Sequence, residues 1–211
     1  AADHDVLMHT DAAQSPGKVS LNVVDSGVNL LSLAGHKFGA PKGIGVLYIR
    51  RGVVLERLIH GAGHEVGRRA GTESALLIAA IGKAAEIAAA LSSVKSIRTL
   101  RDFFWEGLRL NFGDRVLLNG DPIARLPNTL NVSFLDNQGA TVLQYLDGIA
   151  ASTGSACHTG QMEPSPVLTA MGIDRNRALS AVRFSLGYFT TKDEIEVVLR
   201  KLKQSISSET E

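Results

Sequence analysis

The residue best suited to covalent chemistry in this sequence is Lys37, which lies in the glycine-rich segment 35–43 next to His36. Apolar, strand-like runs precede the segment at residues 30–34 and follow it at 44–49, which predicts a turn at the end of a strand. A lysine amine that is desolvated or lies beside a cationic group can form an imine with a carbonyl compound. Taken alone, the same pattern also fits a solvated loop.

A carboxylate and an amide lie upstream, just after the strand-like run 6–9, at Asp11 and Gln14. Pyridoxal phosphate needs an imine-forming lysine and a carboxylate that keeps its pyridine nitrogen protonated. The Gln14 amide can donate to the ring phenolate oxygen, which a carboxylate cannot do. His36 can donate to the cofactor phosphate. The alternative for Asp11 is an ordinary helix cap or turn residue.

Cys157 is the only cysteine of the sequence, so one chain cannot form an internal disulfide or a multi-cysteine metal site. Small residues and glycines surround it over residues 150–161, which predicts a mobile, solvent-reachable loop. A thiol must be exposed and able to ionise to act as a nucleophile, and His158 either assists that ionisation or is simply the next loop residue. The alternative is a small buried apolar side chain.

Arg183 interrupts the alternating apolar pattern of residues 181–187 with a single positive charge. A guanidinium offers a fork of donors that matches a carboxylate. The alternative is a solvent-exposed arginine on an edge strand.

Six motifs occur in this order along the chain: HTDAAQ (9–14), GHKFGAPKG (35–43), RAGTE (69–73), LPNTLNVSF (126–134), TGSAC (153–157) and VRFSLG (182–187). Together they resemble the pyridoxal-phosphate-dependent cysteine desulfurases and the related selenocysteine lyases, a group of class V aminotransferase type. The resemblance covers essentially the whole chain.

The resemblance implies a role for each cofactor-binding residue. Lys37 is then the lysine of the internal aldimine, Asp11 the partner of the pyridine nitrogen, Gln14 the partner of the phenolate oxygen and His36 a phosphate ligand. Thr72 is expected to reach the cofactor phosphate of a neighbouring subunit, in a homodimer. A helix start near Thr72 also favours a phosphate, because its free N–H groups and dipole attract anions.

The resemblance also implies the reaction. L-cysteine or L-selenocysteine gives L-alanine, Cys157 carries the sulfur away as a persulfide, and Arg183 binds the substrate carboxylate. A sulfur acceptor or an iron–sulfur scaffold protein is the expected partner. One position departs from the family, since Ala34 stands where a phosphate-binding serine is common. Ser32 lies two residues earlier on the same strand face, and nothing in the sequence says that it takes over that role.

Two other classes stay open. Another pyridoxal-phosphate lyase or aminotransferase of the same fold would keep Lys37 and Asp11 without needing Cys157, and a noncatalytic dimerisation fragment would need none of them. The choice of substrate is open as well. His158 after the cysteine resembles selenocysteine lyases, whereas the continuation at 163–166 resembles desulfurases, and cysteine is slightly favoured.

The expected fold is α/β. Residues 1–91 are predicted to be part of a fold type I large domain, with a helix over 75–91, and residues 92–211 a small α+β domain that carries the cysteine loop. The second domain is predicted to contain these elements: helices over 97–112 and 140–146, strands over 116–118 and 129–134, the Arg183 strand, and a last helix that begins at Thr191 with a Thr191–Glu194 capping box and presents Ile195, Val198, Leu199, Leu202 and Ile206 on one face.

The composition limits the remaining functions. The 211 residues are 45% hydrophobic and 20% charged with a net charge of +1, and they contain no long basic run, so no nucleic acid is expected. No apolar run approaches the about 20 residues that span a bilayer, and no metal site or signal peptide is predicted. A lone cysteine in a loop fits a reducing, cytoplasmic location. The opening at Ala1 without methionine predicts the C-terminal part of a longer enzyme, which binds cofactor poorly by itself.

Overall fold

The computed structural model describes residues 1–90, 94–154, 157–158 and 161–207. Its strands are β1 (His9–Asp11), β2 (Leu30–Ala34), β3 (Gly45–Ile49), β4 (Val116–Leu118), β5 (Thr129–Phe134), β6 (Cys157–His158), β7 (Gln161–Met162) and β8 (Ala181–Ser185). Its α-helices are α1 (His64–Gly67), α2 (Ala75–Ala90), α3 (Val94–Phe112), α4 (Gly139–Gln144), α5 (Pro166–Ala170), α6 (Arg175–Leu179) and α7 (Lys192–Ser207). The chain divides into two compact units, Ala1–Val94 and Lys95–Glu211.

The first unit contains a sheet with the strand order β1-β2-β3. β1 runs parallel to β2, with Asp11 opposite Ser32, and β3 pairs antiparallel to β2. A 3-10 turn, Gly35–Lys37, follows β2 directly. Because the carboxyl ends of adjacent parallel strands meet at one edge of a sheet, Asp11 at the end of β1 and the Lys37 turn after β2 lie at the same edge.

The start of β1 differs from the prediction. Residues 6–9 are predicted as the strand, whereas the observed strand begins at His9 and ends at Asp11, with Val6 exposed. The reason is a side chain distant in sequence, since the Met8 N–H donates to Asn29 Oδ1 at 2.9 Å instead of entering the strand ladder. The strand at 30–34 is confirmed, and the one predicted at 44–49 begins one residue later.

Helix α2 is confirmed over its described length, and it buries one narrow face. Ile81, Ala84 and Ala88, spaced by three and four residues, pack with Phe38 and Ala40. Several apolar side chains of the first unit remain exposed, among them Val24, Val54, Leu58, Leu76, Ile78 and Ile87. The first unit therefore has small clusters of buried side chains rather than one continuous core.

The second unit is built on the antiparallel sheet β4-β5-β8. Its core includes two edge-to-face aromatic pairs, Phe104 with Phe184 at 4.9 Å and Phe112 with Phe134 at 5.7 Å between ring centroids. The strands at 116–118 and 129–134 are confirmed, while the helix predicted at 140–146 is observed as α4. Side chains from α3, the sheet and α7 thus fill a single core.

Helix α7 begins with the predicted capping box. The Thr191 N–H donates to Glu194 Oε2 at 2.8 Å, and the Glu194 N–H donates to Thr191 Oγ1 at 3.3 Å, so each residue satisfies the other's free backbone donor. The apolar face that follows contributes Ile195, Leu202 and Ile206 to the core. Within the described residues, no helix is both long and apolar enough to cross a membrane.

Truncating the centre of this core is expected to destabilise the protein strongly. Leu202 is 0% exposed, so Leu202→Ala should lower the free energy of unfolding by about 2–5 kcal/mol through lost burial and a cavity. The matched control is Leu110→Ala, which removes the same atoms from a side chain that is 79% exposed on α3. Denaturant titration of both variants checks this, and equal losses in the two would contradict it.

Candidate active site

The candidate site lies at the edge where β1 and β2 end. The Ala12 N–H donates to the Ser32 carbonyl at 2.9 Å, which extends the strand contact one residue beyond Asp11. On the neighbouring strand the backbone turns at Gly35, and both His36 and Lys37 are exposed. The fold thus brings the predicted carboxylate and the predicted amine to adjacent strand ends.

Backbone hydrogen bonds fix the turn that carries Lys37. The Gly35 N–H donates to the Ile44 carbonyl at 3.0 Å, and the Ala40 N–H donates to the Gly35 carbonyl at 3.0 Å. A Cβ at position 35 would lie 2.9 Å from that Ile44 oxygen, so only glycine fits. Phe38, directly after the lysine, is buried. Lys37 therefore projects from backbone that is fixed on both sides.

Asp11 has one carboxylate oxygen engaged. Its Oδ1 accepts a hydrogen bond from the Ala13 N–H at 2.9 Å, a local turn that fixes the side chain. A carboxylate has further acceptor positions on its second oxygen. Asp11 can therefore keep this turn and still accept a hydrogen bond from a protonated ring nitrogen.

Gln14 is oriented by a residue that the sequence analysis missed. Lys18 Nζ donates to Gln14 Oε1 at 2.6 Å. Because an ammonium only donates, the amide oxygen must face Lys18, and the amide NH₂ group stays available as a donor. Burial lowers the pKa of Lys18, and the positive charge of Lys37 lowers it further. The spacing of four residues between Gln14 and Lys18 was the available signal.

Ser32 already has a partner. Its Oγ lies 2.8 Å from His9 Nε2, and His9 shares a strand face with Asp11 because successive strand residues alternate. Position 34 carries no hydroxyl. The Ser32 side chain is thus bonded to His9 within the sheet.

The loop before α2 continues past Thr72 to Ser74. The helix begins at Ala75, and Ser74 Oγ accepts a hydrogen bond from the Leu77 N–H at 3.4 Å. Glu73 does not cap the helix through its side chain, because its carboxylate accepts the Glu65 N–H at 2.7 Å. Thr72 itself is exposed, three residues before the helix. The helix thus begins three residues after Thr72, in agreement with the helix predicted over 75–91, and the role of Thr72 toward a phosphate stays a prediction.

Arg183 lies on β8 in the second unit with its side chain exposed. Its backbone pairs with Ser152, N–H to carbonyl in both directions at 3.1 and 2.6 Å, while Asn131 on β5 lies opposite it. The strand is therefore flanked on both sides at this residue. Among the described residues, no hydrogen bond or ion pair engages the Arg183 guanidinium.

Cys157 also belongs to the second unit. Its backbone forms β6, which pairs antiparallel with β7, Cys157 opposite Met162 and His158 opposite Gln161. A short strand pair thus lies within the segment predicted as a mobile, solvent-reachable loop, and that prediction stays untested. The predicted exposure of the thiol lies outside what the structure describes.

The groups gathered in the first unit fit pyridoxal phosphate by their chemistry. An amine at Lys37, a carboxylate at Asp11, an amide donor at Gln14 and an imidazole at His36 match the aldehyde, pyridine nitrogen, phenolate and phosphate of that molecule. In the part of the chain that the structure describes, no three His, Cys, Asp or Glu side chains are grouped to hold a metal ion.

Comparisons with known proteins place these features in a family. The family described as aminotransferase class-V matches residues 1–198. Curated relatives include cysteine desulfurase IscS of Dictyoglomus turgidum, 41% identical over 98% of this chain and 53% of the relative, and cysteine desulfurase NifS of Azotobacter vinelandii, 45% identical over 96% of this chain and 51% of the relative. A solved NifS-like protein superposes with a TM-score of 0.85 at 36% identity, over 97% of this chain and 53% of its own. The chain thus spans about half the length of the relatives it matches.

Proposed function

This chain belongs to the aminotransferase class-V family, and we propose that the protein of which it is part is a pyridoxal-phosphate-dependent cysteine desulfurase that converts L-cysteine to L-alanine. The observation that carries the proposal is the placement of Asp11 and Lys37 at one edge of a sheet, at the ends of adjacent parallel strands. The names of the relatives supply the substrate, and they favour cysteine over selenocysteine.

Four residues would hold the cofactor. Lys37 attaches it covalently, Asp11 accepts from the ring nitrogen, Gln14 donates to the phenolate oxygen and His36 donates to the phosphate. When bound, pyridoxal phosphate supplies an electron sink that makes the substrate Cα proton acidic. Lys37 Nζ then serves as the base that accepts this proton and returns one to the product.

Cys157 takes the sulfur. Its thiolate attacks the substrate Sγ, the Cβ–Sγ bond breaks with its electron pair going to Cβ, and Cβ takes up a proton to become the methyl group of alanine. The sulfur atom stays on Cys157 as a persulfide. The step needs no external oxidant, because Cβ is reduced to the methyl group while the two sulfur atoms are oxidised to the persulfide. The persulfide then passes to an acceptor thiol or to an iron–sulfur scaffold protein.

Binding of the amino acid requires a side chain that pairs with its carboxylate, and we propose that Arg183 has this role. The guanidinium is exposed and unengaged among the described residues, so its donors are available for a bidentate pair. We further propose that the protein is a homodimer in which Thr72 contacts the phosphate bound by its partner, and that it works in the reducing cytoplasm, where Cys157 stays a thiol.

The direct test is product analysis with the complete protein. Incubation with L-cysteine is expected to release alanine and transferable sulfur in equal amounts, at a higher kcat/KM than with L-selenocysteine. Formation of a keto acid without sulfur release would instead identify another class V reaction. No product, together with no spectral change on adding pyridoxal phosphate, would identify a noncatalytic module.

A further inference from the structure

One face of the sheet in the second unit is polar, although the opposite face forms the core. Because strand residues alternate, Asn131 and Ser133 lie on the face away from Val132, and the antiparallel register places Arg183 directly opposite Asn131. The N–H and the carbonyl of Arg183 both bond to Ser152, so both point away from Asn131. Such non-hydrogen-bonded pairs bring the two side chains especially close.

A chain of hydrogen bonds fixes the orientation of the Asn131 amide. Arg177 Nε donates to Asn119 Oδ1 at 3.1 Å, and since a guanidinium only donates, this atom must be the amide oxygen. Asn119 Nδ2 consequently faces the other way and donates to Asn131 Oδ1 at 2.8 Å and to Ser133 Oγ at 2.9 Å. The amide oxygen of Asn131 is thereby already engaged by Asn119.

The nitrogen of Asn131 remains available. Among the described residues no acceptor pairs with Asn131 Nδ2, and the side chain is only half-buried. The relay that starts at Arg177 therefore presents an amide NH₂ group beside the exposed guanidinium of Arg183. Two donors at the cross-strand spacing of about 5 Å suit the two oxygens of one carboxylate.

We propose that Asn131 is a second ligand of the substrate α-carboxylate, next to Arg183, and that Asn119 and Arg177 position its amide. This inference rests on the proposed function, because it names a substrate-binding residue of that reaction. It differs from a purely structural role, in which Asn131 would affect stability but not the recognition of the carboxylate.

Asn131→Asp in the complete protein is the most selective change, because it is nearly isosteric and keeps the acceptor for Asn119 while it removes the donor. We expect KM for L-cysteine to rise about ten-fold or more with kcat nearly unchanged, through loss of a hydrogen bond to a charged group and added repulsion. Asn131→Ala should raise KM about ten-fold. For L-cysteinamide, which has no carboxylate, the same substitutions should change KM little.

The control is Asn128→Ala, which removes a buried amide that donates to the Leu186 carbonyl at 3.2 Å. It should lower the melting temperature and leave the KM ratio of cysteine to cysteinamide unchanged. In an Asn131→Ala background, Asn119→Ala should add nothing further to KM. If Arg183→Ala raises KM for cysteine while neither Asn131 variant does, this inference is wrong and the proposed function stands. If the unmodified protein forms no alanine, the proposed function itself fails.

Discussion

Replacing Lys37 by alanine in the complete protein is expected to abolish covalent attachment of pyridoxal phosphate and to slow alanine formation by about 10³-fold or more. Lys37 is the exposed amine on a turn that the hydrogen bonds of Gly35 and the burial of Phe38 hold in place. Lys18, the other nearby amine, is engaged with the oxygen of Gln14.

The measurement is the visible absorbance of the bound cofactor, followed by borohydride reduction and mass analysis of the peptide that carries it. Lys42→Ala is the matched control, because Lys42 is an exposed lysine of the same glycine-rich segment. That variant should keep both the absorbance and the labelled peptide. An unchanged visible band in Lys37→Ala, or reduction that labels a different peptide, would overturn the assignment of Lys37.

Replacing Cys157 by serine is expected to separate cofactor binding from sulfur transfer. The variant should keep the absorbance of bound pyridoxal phosphate, since the four proposed cofactor ligands belong to the first unit. Desulfuration of L-cysteine should fall by about 10³-fold or more, because a hydroxyl replaces the nucleophile that takes the sulfur.

Mass analysis gives this result a second readout. After one turnover the unmodified protein should carry one extra sulfur atom on the peptide with Cys157, and this label is unambiguous within the chain because it has a single cysteine. The serine variant should carry none. Full activity in Cys157→Ser would place the protein with class V enzymes that act without a cysteine nucleophile.

Structural features that depend on contacts between sequence neighbours could be predicted from the sequence. The capping box of Thr191 and Glu194 joins residues three apart, and the apolar face of α7 repeats with the helical period, so both could be predicted. The turn at Lys37 follows from glycines and from the apolar runs on either side. These features depend on neighbours within one or two turns of the chain.

The predictions were wrong where contacts between residues distant in sequence determine the local structure. The start of β1 depends on the Asn29 side chain, 21 residues from Met8. The Asn119–Arg177 contact spans 58 residues, so no sequence pattern pointed to the amide relay. The groups that orient the candidate site therefore could not be predicted, whereas the residues proposed for its chemistry were chosen by their types and motifs.

The two units bury their apolar side chains very differently, and this bears on how the amine is kept in place. The second unit has one large cluster of buried apolar side chains beside a small one, whereas the first, which carries Lys37, has only small clusters. Segments with few buried contacts open most readily, so the amide hydrogens of the first unit should on average exchange with solvent faster than those of the second. A ligand that binds only the closed form reduces the population of the open form by a factor of one plus the ratio of its free concentration to Kd. A cofactor bound at the ends of β1 and β2 would accordingly stabilise the first unit as well as take part in the reaction.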